Sequence, residues 1–329
     1  MKLFTILLFT LLFFAGCSSK QYYNPKGIKS FDLDKEIVTI PSYIKSLNSA
    51  GATTIDNRII NDFGVSSFSL QEGYEYVNTI DNTIISADKK GNVYISDTNS
   101  TINFSSNVIA ATKKDNLLAM NFSDNSFGIW DLKENKFKIK EYLDPAYIND
   151  TRFAMPIILS KITLFPTLDG KIVIIDNESN KISRTLSIDL QNEVKNIILL
   201  KTVGDTLIAA SGAKIVSLNK GKYNTKDVLI QNYTIDDNFI YLALLDGTLM
   251  KLDFDLNVIN STKFKFAKFH AIGLDSSKNI YLLESQGYIL KLSNDFKTTL
   301  VDTLSFFEDE KVYASKNKIY FENQLLKLD

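Results

Sequence analysis

Apolar and polar positions follow a pattern that returns along almost the whole chain. Each copy starts at a Gly or Asn, here called the pivot, and an apolar residue follows two positions later and usually again at five. A polar Asp, Asn or Ser often stands at six positions. The clearest copy lies in residues 169–176, with its pivot at Gly170. Because Gly and Asn most readily adopt positive φ, the pattern predicts a two-residue hairpin turn and a short, mostly buried strand.

The pivots recur at a mean spacing of about 37 residues, and a second turn signal such as Asp115-Asn116 precedes most copies. A period near 40 residues with several strands per unit is typical of a β-propeller. We therefore predict an all-β propeller over residues 31–329, with eight (or seven) blades of four-stranded antiparallel sheet. The pivots are Asn57, Gly91, Asn125, Gly170, Gly212, Gly247, Gly287 and Asn317, of which the first and last copies are the weakest.

Both ends of the predicted ring contain strand patterns. Residues 31–40 alternate well enough for a first strand, and residues 312–328 contain further short strands. A ring of blades has to close, and a blade that combines early and late strands closes it. We predict that residues 37–40 join the last blade and that their deletion opens the ring.

Two repeats are longer than the mean, and the extra residues fall in segments 142–156 and 187–195. Insertions in repeat proteins map to loops, which often carry binding residues. Tyr147, Arg152 and Phe153 have the composition of interface anchors, because aromatic residues and Arg dominate such contacts. The alternative is that the two aromatic side chains only cover a blade.

The N-terminus has the features of an export signal. Lys2 precedes an uncharged stretch, residues 3–14, that is too short to span a bilayer but has the length of a secretory hydrophobic region. The residues Phe14-Ala15-Gly16-Cys17 resemble the lipobox of bacterial lipoproteins. An ordinary signal peptide with a coincidental cysteine is the alternative.

The lipobox resemblance implies removal of residues 1–16 and acylation of Cys17 with fatty acids such as palmitate. Two or more acyl chains make a firm membrane anchor. No Asp follows Cys17, which resembles the outer-membrane sorting signal. We therefore expect a lipoprotein of the outer membrane that faces the periplasm or the cell surface. Residues 17–30 would be the lipidated cysteine and a flexible polar tether.

Composition excludes several other classes. The chain has 37 Lys+Arg against 38 Asp+Glu, and these charges are dispersed, so it lacks the basic stripe that nucleic-acid binding requires. With Cys17 acylated, no thiol is left for a disulfide or a metal site. The 22 Phe and 15 Tyr can fill the core of a monomeric ring.

Candidate chemistry is sparse. His270 is the only histidine and no Gly-x-Ser-x-Gly motif accompanies it, so we interpret it as a strand residue and predict no catalytic or metal site. A calcium loop starting at Asp97 is excluded, because Ile102 and Val108 stand where that loop needs Gly and Glu. The repeated carboxylates all stand six residues after their pivots, so we predict that they cap turns. They are Asp97, Asp131, Asp176 and Asp253.

The segment around Asn99 matches one further pattern. Asp97-x-Asn99-x-Thr101 resembles the extended acceptor sequence of bacterial N-glycosylation, with its acidic residue two positions before the Asn. Asn99 is therefore a candidate glycosylation site in an organism that has the transferase. The turn-cap role of Asp97 is the alternative explanation of the same residues.

The repeat as a whole resembles the quinoprotein-type (PQQ-like) propeller family. The chain has one Trp, whereas that family docks its blades with a ring of tryptophans, so we expect no quinone or other cofactor. An eight-unit ring on an outer-membrane lipid anchor also resembles the BamB family of lipoproteins. That resemblance implies a non-enzymatic scaffold that binds the periplasmic domains of the β-barrel insertase and helps outer-membrane proteins assemble.

Two other functions remain open from the residues alone. One is an enzyme or ligand-binding propeller with its site at the central channel, which His270, Arg58 and Arg184 would support if the fold brought them together. The other is a surface-exposed, adhesin-like lipoprotein that binds host molecules.

Overall fold

The computed structural model describes residues 21–25, 29–31, 33, 36–146, 150, 152–305, 307 and 311–328. These residues form eight separate four-stranded antiparallel sheets and no α-helix. Accordingly, none of the described segments is a helix long and apolar enough to cross a membrane. The prediction of an all-β propeller is confirmed, with eight blades.

The first four blades follow one another in sequence, and each uses four consecutive strands. Blade 1 contains β2 (Ile44–Asn48), β3 (Gly51–Thr54), β4 (Arg58–Asn61) and β5 (Gly64–Ser69). Blade 2 contains β6 (Glu75–Ile80), β7 (Thr83–Ala87), β8 (Asn92–Ile95) and β9 (Ser100–Asn103). Blade 3 contains β10 (Val108–Lys114), β11 (Leu117–Phe122), β12 (Ser126–Asp131) and β13 (Lys136–Tyr142). Blade 4 contains β14 (Ile157–Ile158), β15 (Ile162–Pro166), β16 (Lys171–Asp176) and β17 (Lys181–Ser187).

The next three blades repeat this arrangement, and the eighth combines strands from both ends of the chain. Blade 5 contains β18 (Leu199–Val203), β19 (Thr206–Ala210), β20 (Lys214–Asn219) and β21 (Lys222–Asp227). Blade 6 contains β22 (Ile230–Ile235), β23 (Ile240–Leu244), β24 (Thr248–Leu252) and β25 (Val258–Lys263). Blade 7 contains β26 (Phe269–Leu274), β27 (Ile280–Glu284), β28 (Tyr288–Leu292) and β29 (Thr299–Thr303). Blade 8 contains β30 (Val312–Ser315), β31 (Lys318–Phe321), β32 (Gln324–Lys327) and β1 (Ile37–Thr39).

The ring closes through β1, as predicted. Ile37, Val38 and Thr39 pair antiparallel with Leu326, Leu325 and Gln324 of β32, so the earliest strand is the outermost strand of the last blade. Blade 8 is therefore completed by a segment almost three hundred residues away in sequence, and this pairing joins the two ends of the ring.

The pivots lie in the turns before the third strands, although these turns are longer than predicted. At Asn57, Gly91, Asn125, Gly170, Gly247 and Gly287 the pivot has positive φ and directly precedes the third strand. The predicted two-residue turns are wrong, since the loops contain three or four residues and end in this left-handed position. Gly212 and Asn317 are not in the left-handed region, and Asn317 lies between the first and second strands of blade 8.

At Asp131, Asp176 and Asp253 the polar residue six positions past the pivot caps the next turn, as predicted, whereas Asp97 pairs with Lys113. The Asp131 carboxylate accepts hydrogen bonds from the amides of Lys133 and Glu134, at 2.9 and 3.0 Å. Asp176 accepts one from the Ser179 amide at 2.8 Å, and Asp253 accepts from the Asn257 amide at 2.9 Å. These carboxylates satisfy turn amides and form no ring of acids.

The strand order gives the ring two faces. First strands of neighbouring blades contact each other, so they line the central channel. The connections between blades and the turns between second and third strands lie on one side, here called the upper face. The turns between first and second strands, and between third and fourth strands, lie on the lower face.

Part of the predicted tether contacts the ring. Tyr23 is buried against Tyr288 of blade 7 and against Phe264 in the connection between blades 6 and 7. The Gln286 side chain donates a hydrogen bond to the Tyr23 carbonyl at 2.9 Å. Further along, the Lys29 carbonyl accepts a hydrogen bond from the Val301 amide at 3.0 Å. The described part of this segment therefore lies against blade 7, contrary to the expectation of a free tether.

Candidate interaction site

The first long insertion contacts blades on different sides of the central channel, and its residues 150 and 152–154 are here called the crossing segment. It connects blade 3 to blade 4, yet the Phe153 carbonyl accepts a hydrogen bond from Ser49 of blade 1 at 2.5 Å. The adjacent Arg152 donates to the carbonyls of Ile230 and Gln231 in blade 6, at 3.2 and 2.7 Å. This one short segment therefore links blade 1 to blade 6 as well as blade 3 to blade 4.

The second long insertion braces this crossing segment. Asn196 precedes blade 5, and its side-chain amide donates to the carbonyls of Asp150 and Arg152 at 3.1 and 2.9 Å. The Ala154 amide donates to the Ile197 carbonyl at 2.9 Å. The two predicted insertions thus lie where expected, and they pack together on one face.

Arg152 and Phe153 hold the segment in place. The Arg152 guanidinium forms a bidentate ion pair with Asp150 in addition to its two carbonyl contacts. Beside this pair, burial raises the pKa of Tyr233 to about 12, and its hydroxyl donates to the Ile198 carbonyl at 2.9 Å. Phe153 is 4% exposed and packs with Ala110 and Leu168. Their proposed role as interface anchors stays a prediction, and Tyr147 and Cys17 lie outside the described residues.

Seven of the eight junctions between blades contain aromatic side chains in their apolar clusters. Examples are Phe104 and Trp130 between blades 2 and 3, and Phe127 and Phe165 between blades 3 and 4. The junction between blades 4 and 5 is the exception among the described residues, because its cluster contains only aliphatic side chains. This junction is therefore filled by smaller groups than the others.

A cleft opens at this aliphatic junction. Its volume is about 310 Å³, at the lower end of the range for ligand pockets. The walls are mainly Leu and Ile, with a few polar groups at the lower rim. They are formed by Leu159, Ile162, Leu164, Ile174, Arg184, Leu186, Thr202, Gly204, Asp205, Thr206, Leu207 and Leu218. Arg184 is the one cation among the described residues that line the cleft.

The cleft adjoins an exposed strand edge. β17 is the outermost strand of blade 4, and its residues 181–185 are all exposed. Arg184 and Leu186 alternate on the side that lines the cleft. No ion pair within the described part of the chain involves Arg184, although Asp205 lines the same cleft. An apolar cleft, a cation and an unpaired backbone edge are therefore adjacent.

A second cavity, of about 240 Å³, lies beside the crossing segment. It is lined by the inner ends of blades 1 to 3 together with Phe153. Its lining includes Glu75, Asp88 and Lys89, so its charges are mixed.

The structure does not bring the candidate catalytic residues together. Arg58 is on the third strand of blade 1 and pairs with Asp56 in the preceding turn, whereas Arg184 is on the outer strand of blade 4. His270 is on the innermost strand of blade 7, which confirms its prediction as a strand residue. Across the described ranges, no group of three or more His, Cys, Asp or Glu side chains could hold a metal ion.

Asn99 is exposed in the turn between β8 and β9 on the lower face. It has φ of 47°, and its side-chain oxygen accepts a hydrogen bond from Tyr94 at 3.1 Å. Asp97 pairs with Lys113 of blade 3 at 2.8 Å. Glycosylation at Asn99 stays a prediction.

Sequence reasoning missed the cleft, although the chain contains a signal for it. Residues 166–222 include no Phe, Tyr or Trp, whereas these residues make up 12% of the whole chain. That stretch forms most of blades 4 and 5. A long gap in an otherwise aromatic-rich repeat therefore marks the junction where packing is incomplete.

Two curated proteins are similar to the chain in sequence. They are the plasminogen-binding proteins PgbB of Helicobacter pylori strains J99 / ATCC 700824 and ATCC 700392 / 26695. Each is 26% identical over an alignment of 391 positions. The alignment covers 99% of this chain and 71% or 70% of the relative. No family model matches the chain.

Solved structures resemble the ring in fold. BamB from Moraxella catarrhalis has a TM-score of 0.64 at 12% identity, covering 91% of this chain and 98% of that structure. The C-terminal WD40 domain of Sif2 has a TM-score of 0.63 at 10% identity, covering 92% and 99%. At these identities the likeness concerns the fold alone. The chain is thus an eight-bladed β-propeller whose fold is like that of BamB.

Proposed function

We propose that this protein is a lipid-anchored, non-enzymatic propeller that binds another protein at the bacterial cell envelope. The observation that carries the proposal is the cleft between blades 4 and 5, where an apolar groove, Arg184 and the free edge of β17 adjoin. A protein segment can use all three, whereas a ring with fully packed junctions offers only loops. A binding role at this cleft requires no catalytic group.

The cleft suits an extended segment of the partner. Such a segment adds as a strand to the edge of β17, where backbone hydrogen bonds supply affinity. Its alternate side chains then point towards the cleft, and apolar ones displace water from the Leu and Ile walls. An acidic side chain of the partner pairs with Arg184, which fixes the register. The partner segment is therefore expected to be apolar and acidic.

Plasminogen is the first candidate partner. The similarity to two proteins named as plasminogen-binding extends over 99% of this chain, so it includes both blades of the cleft. This candidate corresponds to a lipoprotein that is exposed at the cell surface and binds host molecules.

Outer-membrane protein assembly is the second candidate role. The fold likeness to BamB extends over 91% of the chain, and the lipobox resemblance predicts a membrane anchor at Cys17. In this role the ring faces the periplasm, and the partner segment belongs to a component of the assembly machinery such as the insertase.

Binding measurements with matched variants test the proposal. Immobilised plasminogen and mild-detergent envelope extracts would each be probed with the wild type, Arg184→Glu and Lys181→Glu. Lys181 is exposed on the same strand but does not line the cleft, so it controls for charge. Arg184→Glu should weaken binding about tenfold, because it replaces an attraction with a repulsion. Lys181→Glu should bind like the wild type.

The two candidate partners give different results. Plasminogen binding that depends on Arg184 supports the surface-exposed role, and Arg184-dependent recovery of an assembly protein supports the periplasmic role. If neither preparation yields a protein whose binding differs between Arg184→Glu and Lys181→Glu, the cleft is not the binding site and the proposal fails.

A further inference from the structure

The predicted anchor at Cys17 is close in sequence to a residue that is fixed on the ring. Tyr23 packs edge-on against Phe264 and Tyr288, with ring centroids 6.0 and 5.8 Å apart. An extended chain spans at most about 3.6 Å per residue, so Cys17 lies within about 22 Å of Tyr23. A lipidated Cys17 therefore holds this side of blade 7 beside the bilayer.

An exposed apolar surface lies at the same place on the upper face. Gln21 lines a depression of about 370 Å³ together with Leu245 and Phe266, whose side chains are 55% and 40% exposed. Leu229 is adjacent, because the Leu245 amide donates to its carbonyl at 2.9 Å, and it is 57% exposed. The surface is thus continuous across blades 6 and 7 and starts where the N-terminal segment meets the ring.

Lysines surround these apolar side chains. Lys263, Lys265 and Lys268 are exposed and line the depression, and Asp246 is the one acidic residue among the described residues of this lining. Asp246 pairs with Lys263 at 2.6 Å, which leaves a net positive charge from the other two lysines. Apolar side chains ringed by lysine match the chemistry of an anionic lipid surface, and each lysine near such a surface strengthens association about fivefold.

Phe266 has an unusual backbone that keeps its ring at this surface. Its φ is 69°, a left-handed value that is uncommon for a bulky residue and costs free energy. The residue stands at the tip of the connection between β25 and β26, and Lys265 Nζ lies 4.7 Å from its ring centroid. The strained backbone thus presents an aromatic ring and a cation together towards solvent.

We propose that this surface, Leu229, Leu245 and Phe266 with Lys263, Lys265 and Lys268, rests on the lipid bilayer that holds the anchor. The apolar side chains enter the headgroup region and the lysines contact anionic phospholipid. The inference rests on the lipid anchor of the proposed function. It orients the ring with blades 6 and 7 on the membrane, so that the lower rim of the cleft between blades 4 and 5 points away from the bilayer.

Site-specific fluorescence on the intact lipoprotein tests this orientation. Cys17 is the only native cysteine and acylation blocks it, so a cysteine introduced elsewhere takes a single environment-sensitive label. Leu245→Cys would be labelled in the mature lipoprotein bound to vesicles of phosphatidylcholine and phosphatidylglycerol. Val258→Cys on an outer strand and Phe63→Cys on the lower face are matched controls, since these residues are 47% and 72% exposed. The label at 245 should show blue-shifted emission and quenching by lipid-bound quenchers, and the control labels should not.

Charge substitutions identify the role of the lysines. Combined Lys263→Glu, Lys265→Glu and Lys268→Glu should remove the blue shift at position 245. Equivalent substitutions at Lys181, Lys220 and Lys222, which are exposed outside this surface, should preserve it.

The outcomes separate the anchor from the surface. Labels that all report water on vesicle-bound protein overturn the docking surface and leave the anchor intact. Protein that never associates with vesicles and carries no fatty acid overturns the anchor, and the docking surface with it.

Discussion

At the scale of single residues, Gly170 shows why the pivot position is restricted. Its φ is 83°, and a Cβ there would overlap the carbonyl oxygen of Asp189. Gly221 has a similar φ of 79°, but no atom lies near the place of its missing Cβ. Comparing substitutions at the two glycines therefore distinguishes the free-energy cost of backbone strain from that of steric overlap.

We expect Gly170→Ala to lower the free energy of unfolding by more than about 3 kcal/mol, since it adds both left-handed strain and a clash with backbone. Gly221→Ala adds strain alone and should cost about 1 kcal/mol. Urea unfolding curves measure both values. Equal losses in the two variants would show that the close approach of Asp189 does not matter.

A second prediction for a single residue concerns the stability of the fold at acidic pH. Burial raises the pKa of the Asp189 carboxyl, but hydrogen bonds from Ser211, Asn192 and nearby backbone amides outweigh this effect and hold the pKa below its usual value. A depressed pKa stabilises the fold above the unfolded-state pKa of about 3.9, and that contribution is lost as pH falls through the folded-state pKa.

We therefore expect the wild type to be more stable than Asp189→Asn at neutral pH, with the difference shrinking below about pH 4. Thermal unfolding at a series of pH values measures this difference. Asp237→Asn, at an exposed turn position, is the control for adding an amide. A stability gap for Asp189→Asn that stays constant down to pH 2 would contradict the prediction.

At the scale of elements, β1 closes the ring by pairing with β32. A strand that completes the last blade protects the edge of β32 and joins the two ends of the chain. Deleting residues 37–39 should therefore lower the melting temperature by several degrees, since the loss of a few kcal/mol shifts the melting temperature of a large domain by about that much.

A deletion of equal length at residues 18–20 controls for a shorter N-terminal segment, because it leaves β1 and Tyr23 in place. Differential scanning calorimetry compares the two deletions. If both proteins melt at the wild-type temperature, β1 does not hold the ring closed.

At the scale of the whole molecule, the eight junctions are not equivalent. In the part of the chain that the structure describes, seven contain aromatic side chains, and the junction between blades 4 and 5 is aliphatic and open. Incomplete packing weakens this junction, because apolar surface stays exposed to water. The molecule therefore combines a rigid ring with one junction that can accept a ligand.

Filling the cleft should improve stability at the expense of binding. Leu207 is partly buried in the cleft wall, so we expect Leu207→Phe to raise the free energy of unfolding by about 1 kcal/mol. The same variant should weaken the partner binding measured with Arg184→Glu. Leu249→Phe is the control, since Leu249 is fully buried in a packed junction and overpacking there should destabilise by about 1–3 kcal/mol. Stabilisation without loss of binding would place the partner elsewhere.

The sequence predicted the repeated architecture because turn chemistry is local. A Gly or Asn pivot and a capping Asp act within a few residues, so their spacing revealed the blades, the turn caps and the closing strand. The eighth pivot was assigned to the wrong turn, since Lys316-Asn317 carries the same polar signal as the other turns between first and second strands. The pattern also did not reveal the length of the turns, because three- and four-residue loops place a left-handed residue at the same position before the third strand.

By itself, then, the sequence determined the all-β ring, its strand phases and the approximate positions of its two insertions, since these depend on short-range backbone preferences and on alternating polarity. Only the tertiary structure decided that the two insertions contact each other, that Phe153 is buried, and that Arg184 adjoins an open cleft. These features depend on contacts between residues far apart in sequence. The gap in aromatic residues became informative only once the ring had set blade 4 against blade 5.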